Sequence, residues 1–155
     1  MNFIFIAPNF PENYRHFCDR LHLNGVTVLG IGDAPYDSLS ETVRNALTEY
    51  YKVDSLEDYG QVYRAAAFFA FKHGRIDWIE SNNEYWLELD ARLRRDFNVT
   101  TGVMPDELAQ MPDIFSDAMG NQMYVALLDS EDEVRDYVRF ILDEQAQVVI
   151  PSLYK

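Results

Sequence analysis

Asn2-Phe-Ile-Phe-Ile-Ala7, followed by Pro8-Asn9-Phe10-Pro11, and Val26-Thr-Val-Leu-Gly-Ile31, followed by Gly32-Asp33, decide how this chain folds. Each is a short apolar run of aromatic and β-branched residues that stops at loop formers, the pattern of a buried strand. Between them Tyr14, Phe17, Cys18 and Leu21 recur at i, i+3, i+4 and i+7, the stripe of an amphipathic helix. Pro11 suits a first helical turn and Asn24-Gly25 a left-handed stop. Strand, helix, strand is the repeating unit of a parallel sheet, because parallel neighbours need a crossover long enough to hold a helix.

The same alternation continues outward. Ser38 or Ser40 can cap a short helix carrying Leu39, Val43, Ala46 and Leu47, and Thr48–Val53 reads as a third strand. Ser55-Leu-Glu-Asp58 has the spacing of a capping box ahead of a helix bearing Leu56, Tyr59, Val62, Tyr63, Ala66, Phe69 and Ala70, which Gly74 closes. Ile76–Glu80 is the fourth strand, Ser81–Asn83 a capping turn, and Glu84–Asp96 a helix with Trp86, Leu89 and Leu93 on one side. Four β–α units in a row predict an α/β fold, a three-layer Rossmann-like parallel sheet of four to five strands with helices on both faces. Beyond Asn98-Val-Thr-Thr-Gly102, Met104–Pro112 holds two prolines and no sustained period. Order returns with Ser130-Glu-Asp-Glu133 capping a helix that carries Val134, Tyr137, Val138, Ile141 and Leu142, then a strand at Gln147–Ile150. The expected organisation is a domain over residues 1–102 and a C-terminal α/β extension over 103–155.

At 155 residues and 48% hydrophobic, the chain has material for one well-cored domain. Its 26 acidic against 13 basic side chains, net −13, argue against nonspecific binding to nucleic acid or to an anionic membrane. The excess is uneven: residues 101–155 hold 11 acids and 3 bases, against 15 and 10 in residues 1–100. The apolar run at the amino terminus has no basic residue ahead of it and breaks at Pro8, far short of a signal-peptide core or a membrane span. One cysteine, Cys18, permits no internal disulfide and fits a reducing compartment, so a cytoplasmic location is expected.

In an open parallel sheet, ligands bind at the carboxyl ends of the strands, which directs attention to four loops. The first, around Asn9 and Phe10, has two prolines where a dinucleotide-binding turn would need glycines and free N–H groups; no P-loop occurs anywhere. Gly30-Ile-Gly-Asp33 offers Asp33 to a ribose or an amine, or is simply a tight exit from the strand. Glu80-Ser-Asn-Asn-Glu84 is the densest polar run: Glu80, Asn82, Asn83 and Glu84 could orient an amine or a carboxylate, although an asparagine cap and an acid in the first turn account for most of it. His16 and His22 lie on different sides of one helix and His73 near a helix end, so no metal site is expected. Cys18 sits on an apolar stripe as a core residue, and Asp129–Glu133 lacks the alternating ligands and central glycine of a calcium loop.

Ala7-Pro-Asn-Phe-Pro11, Gly30-Ile-Gly-Asp33, Glu80-Ser-Asn-Asn-Glu84 and the helix through Ala91-Arg-Leu-Arg94 to Asn98-Val-Thr-Thr-Gly102 together resemble the pre-ATP-grasp domain of ATP-grasp ligases, in particular the carbamoyl-phosphate-synthase large-subunit-like group. The resemblance covers about residues 1–102. It implies a lobe that helps shape the substrate site of an enzyme that activates a carboxylate as an acyl phosphate for attack by an amine. It implies ATP and magnesium for a full-length parent, bound by later lobes, with no catalytic residue, metal ligand or cofactor in this chain alone. Its implied substrate contacts are Asn9, Phe10, Asp33, Glu80, Asn82, Asn83 and Glu84. The resemblance departs at Ile150-Pro151, where that family has a Lys-Pro pair whose lysine meets nucleotide phosphate. The chain is therefore expected to be non-catalytic by itself. The alternatives are one half of a split ligase completed by ATP-grasp lobes in trans, or a small acidic interaction module; a homodimer would cover an exposed sheet edge.

Overall fold

The structure, a computed structural model, describes residues 1–109. The chain runs as β1 (Asn2–Ile6), α1 (Arg15–Leu23), β2 (Thr27–Gly32), α2 (Glu41–Ala46), β3 (Glu49–Lys52), α3 (Tyr59–His73), β4 (Trp78–Glu80), α4 (Leu87–Asp96) and the short α5 (Pro105–Ala109). The strands form one parallel sheet in the order β3-β2-β1-β4. Asn2–Ile6 lies against Thr27–Ile31 on one side, and Phe3–Phe5 against Trp78–Glu80 on the other. The expected α/β, Rossmann-like architecture is thus present. The expected helix within 130–144 and the strand at 147–150 lie outside the described residues.

Alternation along β1 builds two cores of different composition. Phe3 and Phe5 turn to one face and pack with Val28, Trp78, Phe17, Cys18 and Leu21 of α1, and Ala46 of α2. Ile4 and Ile6 turn to the other and pack with Leu29, Ile31 and Ile79, with Val62, Ala65, Ala66 and Phe69 of α3, and with Leu93 of α4. Helices on both faces leave Phe3 through Ile6 wholly buried, as a central parallel strand requires. Each such side chain stabilises the fold by about 1.5–3 kcal/mol relative to exposure. The Cys18 thiol in the aromatic core has its pKa pushed up to about 12 by burial, which fits a packing residue rather than a nucleophile.

Several local readings are corrected. Pro11 does not open α1; it precedes a 3-10 turn at Glu12–Tyr14, and the α-helix starts at Arg15. The Ser55–Asp58 capping box does not form. The Asp58 carboxylate itself accepts from the Gln61 N–H (3.3 Å) as the cap of α3, while Ser55 Oγ accepts from the Glu57 N–H (3.2 Å) in the preceding turn. An acid placed directly before the first helical residue satisfies an orphan donor there, so the helix begins four residues after the serine. Ser40, rather than Ser38, caps α2. The helix expected from Glu84 opens as a 3-10 turn over Glu84–Trp86 and is α-helical from Leu87. A helix also occupies Pro105–Ala109, where no period was legible, with Glu107 Oε2 accepting from the Met104 N–H (2.9 Å).

Gly30 lies within β2 as expected, and Gly32, expected to open the loop, is its last residue. A Cβ at Gly30 would lie 2.9 Å from Leu47 Cδ1, and one at Gly32 only 2.5 Å from the Tyr50 hydroxyl, so both glycines make room for residues arriving from β3 and the turn before it. Among the described residues no helix is long and apolar enough to cross a membrane.

Candidate functional site at the ends of β1 and β4

The chain leaves β1 for β2 and β3 on one side and returns to β4 on the other, so strand order reverses at β1. A crevice opens at such a reversal, outside the carboxyl ends of the strands that flank it. Here the flanking segments are Ala7–Tyr14 after β1 and Ser81–Trp86 after β4. The structure therefore brings Asn9, Phe10, Glu80, Asn82, Asn83 and Glu84 onto two adjacent strand ends. Asp33 stands apart at the end of β2, exposed, where its charge adds to burial in pushing the Tyr50 phenol up to about 12.

Both segments carry a non-glycine residue in the left-handed region, Ala7 at φ 54° and Asn82 at φ 54°. Asparagine tolerates that conformation; alanine is strained there by about 1 kcal/mol or more. Ala7 is held by its N–H donating to Ile31 O (2.8 Å) and by its carbonyl accepting from the Phe10 N–H (3.2 Å). Asn82 is held by the Tyr14 hydroxyl, which donates to its carbonyl and so joins the two segments. Phe10 is 66% exposed at the rim, Asn9 and Asn83 are half-buried, and Glu84 is exposed. Asn83 Oδ1 accepts from the Tyr85 N–H (3.0 Å), the capping role its position suggested.

Beneath the β4 segment lies a buried charged cluster that includes two residues absent from the sequence-based site. Arg94 of α4 reaches around the sheet edge: its Nε donates to Ile79 O (2.9 Å), Nη1 to Val103 O (2.9 Å) and Nη2 to Glu80 Oε2 (2.7 Å). Arg94 thereby satisfies a backbone carbonyl of β4, the edge strand among the described residues. Glu80 Oε1 accepts from the Asn82 N–H (3.3 Å), so each carboxylate oxygen is tied to the surrounding framework. Gly102, at φ 88°, leaves the space the guanidinium occupies; a Cβ there would stand 2.8 Å from Arg94 Cζ.

Asp90, fully buried one turn before Arg94, accepts at Oδ2 from the Ser81 N–H (3.0 Å) and lies 2.5 Å from Ser81 Oγ. Its Oδ1 has no hydrogen-bond partner. Burial, and next the Glu80 charge, push the Asp90 pKa up to about 8, against the opposing pull of Arg94. A neutral Asp90 can donate through Oδ2 to Ser81 Oγ, and that hydroxyl can donate onward to Asn83 O at 3.1 Å. Asp90 thus sets Ser81, and Ser81 sets the Asn82–Asn83 backbone at the crevice.

Asp90 and Arg94 lie four apart on the side of α4 that also carries Trp86, Leu93 and Phe97. An acid and a base within an apolar stripe was the available signal, and a helical wheel drawn for charge as well as for hydrophobicity would have found it. Among the described residues no group of three or more His, Cys, Asp or Glu side chains could hold a metal ion. The arrangement presents amide and carboxylate groups, an exposed aromatic ring and a fixed backbone. No protein family, curated protein or solved structure matches the chain.

Proposed function

We propose that residues 1–102 act as the substrate-side lobe of an ATP-grasp carboxylate–amine ligase, of the carbamoyl-phosphate-synthase large-subunit-like kind, with the crevice between β1 and β4 receiving the amine-bearing substrate. The observation that carries this reading is the pair of left-handed residues, Ala7 and Asn82, at the ends of the two strands where the sheet reverses, joined by Tyr14. Strained backbone persists where surrounding structure over-determines it, and such positions cluster at ligand sites. Phe10 supplies an aromatic wall, Asn9 and Asn83 amide groups, and Glu84 a carboxylate for a cationic amine. ATP and magnesium would be held by lobes outside residues 1–102, so this lobe binds and orients without transferring a phosphoryl group. As such a lobe it would work in the cytoplasm.

The test is thermal denaturation of the full chain with L-amino acids added one at a time, and separately with magnesium and ATP. A ligand specific to the folded state at a hundredfold excess over its Kd stabilises by about 2.7 kcal/mol. The expected result is a saturable rise in Tm with at least one amino acid, diminished in Glu84→Ala, and none with magnesium and ATP alone. A rise with magnesium and ATP, or none with any amino acid, would overturn the assignment.

A further inference from the structure

We propose that the chain carries a second ligand site, for a small anion, at the carboxyl end of β3. This goes beyond the proposed function, since β2 and β1 separate this site from the far side of the β1/β4 crevice. A cavity of about 310 Å³ lies there, lined by Tyr51, Lys52, Val53, Asp54, Gln61 and Arg64. It is large enough for a small organic ligand and lies at the carboxyl end of β3, an outer strand of the sheet.

Two cations converge on it in a strongly acidic protein. Arg64, on the second turn of α3, makes no hydrogen bond or ion pair among the described residues. Its five donors are therefore available, in the planar fork that matches a carboxylate or phosphate. Lys52 meets Asp54 only loosely: Nζ to Oδ1 is 3.8 Å, with the two side chains 47% and 91% exposed. A pair that exposed holds its lysine weakly.

Lys52 Nζ also donates to Val53 O (3.3 Å), which tethers the ammonium at the strand end, and the other polar groups shape the cavity. Gln61 Oε1 accepts from the Asp54 N–H (2.8 Å) and Gln61 Nε2 donates to Asp58 Oδ2 (3.1 Å), which fixes the loop between β3 and α3. Asp58 is committed to Gln61, and those contacts, more than Arg64, hold its carboxyl below the usual range. The Val53 N–H donates to Gly32 O (2.9 Å), so the strand end itself is anchored. A carboxylate or a phosphate satisfies this chemistry equally; inorganic phosphate and acetate serve as probes for the two.

The experiment follows backbone amide shifts of the full chain as sodium phosphate or sodium acetate is added at constant ionic strength, with chloride as the control. Saturable shifts confined to residues 52–54 and 60–64 are expected with phosphate, acetate or both, and none with chloride. Phosphate alone would mark a site for a phosphorylated ligand; acetate would mark one for a carboxylic acid. Arg64→Gln and Lys52→Gln, both at exposed positions, should each weaken binding by about tenfold, the loss expected for a charge-assisted hydrogen bond. No saturable shift with either anion, or affinity unchanged in both variants, overturns the proposal. Shifts at residues 7–10 and 80–84 belong to the other site, so each can fail alone.

Discussion

Replacing Asp90 by asparagine should leave the protein folded at neutral pH while removing much of the pH dependence of its stability. Asp90 is fully buried and its pKa is raised from 3.8 to about 8, by desolvation first and by the Glu80 charge second. The folded state therefore keeps a proton that the unfolded chain releases over roughly pH 4 to 8. Stability contributed by that proton is complete below the unfolded pKa and is lost as pH rises through the folded one, by up to about 1.4 kcal/mol per pH unit. Between pH 5 and pH 7 the loss is on the order of 3 kcal/mol, which at roughly 4 °C per kcal/mol is on the order of 10 °C in Tm. Asparagine is neutral throughout and close in shape. With its Oδ1 turned toward Ser81 it can accept from the same N–H and from the hydroxyl. Tm measured by circular dichroism from pH 5 to 8 should thus fall more steeply in the wild type than in Asp90→Asn, with the two curves closest at low pH. Parallel curves would refute a neutral Asp90. A large loss for the variant already at pH 5 would show that the carboxyl is needed for something its charge state does not explain.

Gly102→Ala should destabilise the fold by about 1–3 kcal/mol in urea unfolding, because a Cβ meets the Arg94 guanidinium at 2.8 Å and φ is 88°. An unaltered midpoint would mean that Arg94 does not sit on that glycine. Gly32→Ala should destabilise through its 2.5 Å approach to the Tyr50 hydroxyl. Tyr50→Phe alone loses only the hydrogen bond to Ala34 O. The double variant should therefore be more stable than the sum of the two losses allows, and simple additivity would contradict the contact.

Strand and helix identity in residues 1–100 was legible because β1 and α1 obey one period each: Phe3 to Ile6 are buried on both faces, and Tyr14, Phe17, Cys18 and Leu21 all reach one core. Element starts were less so. At Asp58 and at Glu84 the cap chemistry extends over several polar residues, and only the three-dimensional path selects which oxygen meets which N–H. The crevice loops were found by the general rule for parallel sheets. Glu80, chosen from sequence as a ligand contact, also pairs with Arg94, which arrives from α4 fourteen residues later, a pairing no local pattern encodes. Asp90 was missed for the complementary reason: amphipathic stripes are read for apolar residues, and a buried acid registers only as an interruption.

The crevice between β1 and β4 can be examined directly by mapping amide shifts of the full chain while each L-amino acid is titrated in. Saturable changes centred on residues 7–10 and 80–86, weakened in Glu84→Ala, are the expected result. Changes centred on residues 52–64 instead, or none with any amino acid, would contradict a substrate site where the sheet reverses.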